Sequence, residues 1–582
     1  MGTISDKLMR IINTKEDIRQ ALISKGYDVP TSIPFKEYAK MILDLPCKVD
    51  SFPDIEGIVA RYSASGLTNE QMAANPVWVD KTGNGHDLQM KNFAWGGMSG
   101  VGGYEMNFNL WTNNVPSIPD ISMSTTTTSV SVSVGNSTYN NNLIYIHMNN
   151  WDINKNHWLK VTSTYEDGDL VFKFYNDNNS KNIELPANGY VNIPAYPEFK
   201  GNYMYISTTS NKQGSFTIEQ LPLYPGALVF DGVDDYGTCG NFPILTKEKG
   251  YTVVALRQWD QDFLNTTLTG GLLSTRNYST GEGVAFEKIE SSNKGYWNLG
   301  AGGIIDFAKS PFTWQTSKQY NNVGILKGDK NHGKPLCVGC GLSGGQQCGR
   351  FAIWELVFLD HDATEEELTK IKDYFVKTYP WLFPDQAWTV TGKTNEDEDR
   401  ATIANITGNG NDLILSNFGF AEGSGYNEEG EYAGYLVTDG VDDKIISSIF
   451  KMGNDWTVIG DWELINTGKN DNAGIVKFDS IVIYNYNYNS MLINIKNGRN
   501  ILIPDQNTVN AICSDGRIYS KDWKESIYNE ETESTSKNFL TIGYSGNAYT
   551  KIAFKNLAIY PTVLSREDCI KAYNYLQTLK AK

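Results

Sequence analysis

Two five-residue runs concentrate carboxylates: Asp231-Gly232-Val233-Asp234-Asp235 and Asp439-Gly440-Val441-Asp442-Asp443. Acidic side chains this close offer two chemistries. Their oxygens can gather round a hard divalent cation, which takes roughly six to eight oxygen ligands. Or they can close a tight turn, because Asp-Gly suits positive φ and an Asp side chain accepts the N–H groups of its own turn. Spaced carboxylates alone do not define a cage, so the turn is the plainer reading.

A second chemistry is ring stacking. Aromatic faces pair with the C–H faces of sugars and with other apolar surfaces. Trp151, Trp158, Tyr484, Tyr486 and Tyr488 are the candidates. The three tyrosines alternate with Asn485, Asn487 and Asn489, so on a strand all three rings share one side. The same pattern would also suit a core or interface face, and sequence does not say which side is wet.

Other chemistry is poorly represented. Cys337, Cys340 and Cys348 have the look of a zinc set, but they stand one ligand short of a closed site with no nearby His. Ordinary strand and turn positions suit them better. The seven cysteines form no obvious disulfide framework. Thr82–Leu88 and Thr407–Leu413 each hold two glycines without a following Lys-Ser/Thr, so they are turns and not phosphate loops. Five dispersed histidines supply no triad or metal motif. The acidic run Asn395–Arg400 sits in a junction and reads as solvated charge.

The elements that would position these residues come twice. Thr82-Gly83-Asn84-Gly85-His86-Asp87-Leu88 matches Thr407-Gly408-Asn409-Gly410-Asn411-Asp412-Leu413, and Asn92-Phe93 matches Asn417-Phe418. Each pentapeptide follows a short apolar strand and precedes another, Tyr251–Leu256 or Trp456–Gly460. Each copy closes with a strand and a helix whose caps are Thr364 and Ser565, with Glu367 and Asp568 at the third position. From Thr82 to Asp231 is 149 residues, but from Thr407 to Asp439 only 32, so the first copy carries 117 more. The duplication therefore predicts one plain module and one that hosts a guest. Ser129-Val130-Ser131-Val132-Ser133-Val134 alternates strictly, and further strand candidates follow it, so the guest reads as a small β-sandwich with its ends close together.

The expected organisation is a helical segment at 1–49, a discontinuous sandwich at 50–101 plus 225–383, an inserted sandwich at 102–224, and a second sandwich at 384–582. The fold class is mainly β. In the first segment Ile4, Leu8, Ile11, Ile18 and Leu22 fall at heptad-like steps, with Lys15 at the missing place. Fewer than three heptads do not hold alone, so this stripe reads as an oligomerising or docking element rather than a cap on its own module. A net charge of −17 argues against a nucleic-acid partner and an anionic bilayer. No run is apolar enough for a membrane helix, and Met1–Lys7 lacks a signal core. Synthesis in a cytosol is the expectation.

The order Thr-Gly-Asn-Gly-x-Asp-Leu, Leu-Val-x-Asp-Gly-Val-Asp-Asp, an aromatic-Thr-Val strand, then a closing strand and capped helix resembles laminin-G-like modules of the concanavalin A-like jelly-roll superfamily. About 455 of the 582 residues take part, in two copies. The resemblance implies that calcium is a candidate ligand at Asp231, Asp234, Asp235, Asp439, Asp442 and Asp443. Related sandwich folds include glycoside hydrolases, whose Glu-x-Asp-x-x-Glu signature is absent here. The segment Ile4-Ser5-Asp6-Lys7-Leu8 through Tyr38-Ala39-Lys40-Met41-Ile42 resembles the start of fibre and appendage proteins of tailed phages infecting gut Bacteroidales, including crAss-like phages. Together the resemblances imply a virion structural protein, assembled in the host cytoplasm, that is not an enzyme. Its N-terminal segment would form a homotrimer and bind other virion proteins, and its modules would face host-surface glycans. A spacer without ligand is the alternative, and a capsular polysaccharide hydrolase ranks last.

Overall fold

Burial with a period of two runs through this chain. Ser129–Val134 buries Val130, Val132 and Val134 and leaves its serines at the surface. Leu88–Lys91 and Leu413–Ser416 alternate buried and exposed in the same way. That is how a strand with one dry face behaves, and the chain is mainly β. The computed structural model describes residues 52–581, less 114–119, 136–141, 148–150, 154–156, 176–180, 246–250, 276–284, 289–293, 297–303, 307–315, 319–335, 343–345, 466–473, 479–480, 487–489, 496–498, 504–508, 528–536 and some single residues and pairs. Ile4, Leu8, Ile11, Ile18, Leu22 and Tyr488 lie outside the described residues.

Among the described residues, three large hydrophobic cores organise the strands. One is built from Ala60–Val101 together with Leu228–Phe358, so it draws on both sides of residues 102–224. A second uses residues from Trp388 to Ile559. The third lies wholly between Met106 and Ile218.

The first core fills the space between two sheets. One runs Thr316–Lys318, Thr252–Trp259, Arg350–Leu359, Leu228–Asp231, Gly100–Val101, with Ile58–Ser63 also paired to Arg350–Leu359. The other runs Val77–Trp78, Leu88–Lys91, Tyr236–Cys239, Leu336–Val338, Gly270–Ser274, Ala285–Lys288, Lys294–Tyr296, Ile304–Asp306. The second core repeats this plan. Gly425–Tyr426, Leu436–Val437, Ile552–Tyr560 and Thr457–Leu464 stand in the order of their counterparts, with Gln386–Thr389 also on Ile552–Tyr560. Facing them run Thr402–Ile403, Leu413–Ser416, Lys444–Ser447, Thr541–Ile542, Gly474–Phe478 and Ile481–Tyr486. Even the irregularities coincide: the register slips between Leu256 and Arg257 and, equivalently, between Asp461 and Trp462.

Each copy ends in a capped helix. Thr364 accepts from the Glu367 N–H while the Glu367 carboxylate accepts from the Thr364 N–H, at the head of Glu365–Thr378. Ser565 accepts from the Asp568 N–H ahead of Arg566–Leu576. Among the described residues no helix is long and apolar enough to cross a membrane.

The third core sits between two five-stranded sheets. One runs Lys181–Leu185, Leu170–Tyr175, Tyr203–Thr208, Asn142–His147, Thr112–Asn113. The other runs Asn188–Ile193, His157–Ser163, Gly214–Gln220, Ser129–Val134, Ile121–Thr125. Its two ends meet: the Leu223 N–H donates to the Gly103 carbonyl at 2.9 Å and the Tyr224 N–H to the Gly102 carbonyl at 2.8 Å. This sandwich leans on the C-terminal helix. Trp158 meets Tyr573 edge-on at 5.3 Å, and the Arg566 guanidinium lies 5.9 Å from the Tyr190 ring.

Candidate functional site

The two aspartate turns share their principal bonds. Asp231 N–H donates to Asp235 Oδ2 at 3.0 Å, and Asp439 N–H to Asp443 Oδ2 at 2.7 Å. Val233 N–H donates to Asp231 Oδ1, and Val441 N–H to Asp439 Oδ1, both at 2.7 Å. Gly232 and Gly440 take φ of 78° and 75°. A Cβ on Gly232 would stand 2.8 Å from Arg350 Cβ, and one on Gly440 3.0 Å from the Lys551 nitrogen. Glycine is needed there both for the left-handed backbone and for the approach of the neighbouring strand.

Each turn is clasped by a loop whose role sequence reading missed. Ser99 Oγ donates to Asp235 Oδ1 at 2.9 Å, and Ser424 Oγ to Asp443 Oδ1 at 3.1 Å. Asn92 Nδ2 donates to the Asp234 carbonyl, and Asn417 Nδ2 to the Asp442 carbonyl. Asn92 and Asn417 themselves stand at φ 67° and 70°, and Trp95 and Phe420 at 52° and 49°. Asn69 pairs with the Val101 backbone through both its side-chain atoms, as Asn395 does with Tyr426. The signal was present in the chain: Asn92, Ser99 and Gly100 recur at a fixed spacing as Asn417, Ser424 and Gly425.

The carboxylate atoms of each cluster lie within 4.8 Å of one another. Asp235 and Asp443 are buried. Burial, with the Asp231 carboxylate adding to it, pushes Asp235 up to about 7, and burial pushes Asp443 up to about 6. A calcium cage needs carboxylate oxygens aimed at a common centre. Here the inner aspartate of each cluster gives both oxygens to N–H and O–H donors of its own turn and loop. These bonds suit a self-locked turn, and the spacing of the three carboxylates is also one a shared cation would accept.

The aromatic expectations divide. Trp151 is 4% exposed and packs among Trp111, His157 and Phe172 in the third core. It has no face to offer a ligand, a correction to its sequence reading. Trp158 is half-buried and meets the Tyr573 ring at 78°, so it helps seat the inserted sandwich on the C-terminal helix. Beside it lies a cavity of about 50 Å³ whose lining includes Glu105, His157, Gln220 and Asn574. That space holds about three to five waters, too little for a sugar ring. Tyr484 and Tyr486 both belong to Ile481–Tyr486, opposite Leu492 and Ser490. Their side chains, like Tyr488, lie outside the described residues.

The cysteines also need a correction. Cys340 and Cys348 are joined in a disulfide. They face each other as paired positions on neighbouring antiparallel strands, a relation their spacing alone did not reveal. Cys337 is buried on the adjoining strand, and burial pushes its thiol up to about 12. A protonated thiol beside two oxidised sulfurs makes no zinc site.

No family model matches the chain, and no curated protein matches it. Among solved structures, a Trypanosoma rangeli sialidase in complex with sialic acid is similar at 8% identity and a TM-score of 0.26, over 81% of this chain and 86% of that one. The receptor-binding domain of botulinum neurotoxin type G is similar at 14% identity and a TM-score of 0.21, over 33% and 50%. An arabinofuranosidase complexed with arabinofuranosyl-α-1,2-xylobiose follows at 11% and 0.22, over 31% and 52%. Scores this low place no activity on this chain.

Proposed function

We propose that this chain is a virion structural protein, part of a head or tail fibre or appendage, whose β-sandwich modules present surfaces to host glycans. The N-terminal stripe would assemble it as a homotrimer and dock it to other virion proteins. The observation that carries this reading is the presence, among the described residues, of three separately cored β-sandwiches, one inserted into another through two paired ends. Such a build multiplies display surfaces along one chain, and weak sites gain from multivalency. The aspartate clusters add to it, because the same carboxylates serve the same turn in both copies, as structural parts do and a single acid/base centre does not.

The test is a glycan array probed with the purified chain displayed at high valency on beads. Binding to defined glycans supports the display function, and silence across the array at high valency refutes it. A spacer without ligand is favoured by one observation, the internal use of Trp151 and Trp158, and it predicts that silence. Release of reducing ends from capsular polysaccharide would revive the hydrolase. Deleting residues 1–45 is expected to give a monomer by light scattering, and an unchanged oligomer would remove the assembly role of that segment.

A further inference from the structure

Four tyrosines that the sequence keeps far apart meet on the outer face of one sheet of the inserted sandwich. Tyr145 is paired across the strands with Tyr205, and Tyr203 with Tyr175. Successive residues of a strand point to opposite faces. The neighbours Ile144, Ile146, Met204, Ile206, Phe172 and Phe174 are all in the core, so the tyrosines stand on the other side. Their rings touch in a chain: Tyr145 to Tyr203 at 4.5 Å, Tyr145 to Tyr205 at 5.6 Å, and Tyr205 to Tyr175 at 5.7 Å. Tyr175 is 43% and Tyr203 37% exposed.

The opposite sheet of this sandwich is the one seated on the C-terminal helix through Trp158 and Tyr190. The tyrosine face therefore looks away from that contact. The two cross-strand rows that hold the rings contain one permanent charge, Lys173, and no carboxylate. Partial burial, with Tyr175 and Tyr203 beside it, raises Tyr205 above the ordinary phenol range, so this hydroxyl keeps its proton through physiological pH.

We infer that this face, formed by Tyr145, Tyr175, Tyr203 and Tyr205, is a binding platform for a neutral oligosaccharide. The inference rests on the glycan reading above and gives it a place. Each ring combines an apolar face for sugar C–H groups with a hydroxyl at its rim, the pairing that alternating C–H and O–H surfaces of a sugar require. The chemistry disfavours a protein partner of the usual kind, since Leu, Ile and Val do not rim the rings: in the inserted sandwich the exposed large apolar side chains, among the described residues, are Leu110, Tyr175 and Tyr203. The chain's net charge of −17 and the isolation of Lys173 disfavour an anionic polymer. Ring planes cross at 42° to 90°, so the surface is corrugated. It suits a single soluble sugar chain and not a flat crystalline one. Three strands spaced at about 4.8 Å make it about 10 Å across, the scale of a short oligosaccharide.

The experiment uses the full chain, on an array that carries both neutral and acidic glycans, and compares wild type with Tyr175→Ala/Tyr203→Ala and Tyr175→Phe/Tyr203→Phe. Thermal melts of all three check that each is folded. Wild type is expected to bind neutral glycans, the Ala pair to lose at least tenfold in apparent affinity, and the Phe pair to keep the larger part of it. Equal binding by wild type and a folded Ala pair overturns the platform while leaving glycan display intact elsewhere. A silent wild type overturns both. Binding confined to acidic glycans overturns the platform as described. A self-associated wild type that becomes smaller in the Ala pair, by analytical ultracentrifugation, assigns the face to a second copy and likewise overturns it.

Discussion

Asp235 and Asp443 show how a turn residue acquires an unusual proton affinity. Burial, with neighbouring carboxylates adding to it, disfavours the charged form of each and outweighs the backbone N–H and serine O–H donors that favour it. The folded protein therefore holds the proton more tightly than the unfolded chain does, whose aspartates titrate near 3.8. The sign follows: this contribution to stability is fully present below about pH 3.8 and is lost as pH rises toward about 7 at Asp235 and about 6 at Asp443. Asp235→Asn should flatten that slope and raise Tm at pH 8 by a few degrees, read by calorimetry from pH 4 to 8. Because the turn locks its own oxygens, added calcium should leave Tm at pH 7 unchanged. A calcium-dependent rise that Asp235→Asn abolishes would restore the cation reading. A second residue-scale case is Arg61, whose Nε lies 3.2 Å from Glu355, both buried, with Tyr379 donating to the same carboxylate at 2.8 Å. Arg61→Met strands that carboxylate and should cost about 3–5 kcal/mol in denaturant unfolding. Pairing it with Glu355→Gln should recover a large part.

At the scale of elements, the closing helices set a matched comparison. Thr364→Ala and Ser565→Ala each remove one side-chain cap and should each destabilise by about 1 kcal/mol. The first has an added pH dependence. Partial burial opposes charge on His361, but its contacts with Asp360 and Glu367 outweigh this and raise its pKa. That stabilisation is present below the ordinary histidine range and is lost as pH rises through the raised value. The thermal cost of Glu367→Gln should accordingly shrink at pH 9 relative to pH 6, while Asp568→Asn should show no such trend. These elements were legible in the chain: the caps, the apolar strands and the alternating Ser-Val run each carry a local signature. The loop that clasps each aspartate turn was not singled out, because Ser99 and Asn69 act across 136 and 32 residues of sequence.

For the whole molecule, the paired ends at Gly103 and Leu223 make a definite expectation. Replacing residues 104–222 by a short glycine linker should leave a soluble chain with a cooperative melt, because the first core uses none of them. The C-terminal helix loses its contact with Trp158, so a lower Tm is expected but not collapse. A chain that fails to fold without these residues would show that the guest is part of its host.

The sequence by itself determined the mainly β character, since period-two patterning and turn chemistry act within a few residues. It also determined the likeness of the two aspartate turns, since identical five-residue runs form the same principal hydrogen bonds. Which aromatic rings are wet was decided only by tertiary structure. Trp151 and Tyr203 both belong to the same sandwich, yet one fills the core and the other faces outward. That outcome depends on how two sheets close over each other and which one meets the C-terminal helix. Tyr145, Tyr175 and Tyr205 join Tyr203 only through strand pairing at a distance. No local signal can announce a neighbour supplied by a strand 30 or 60 residues away.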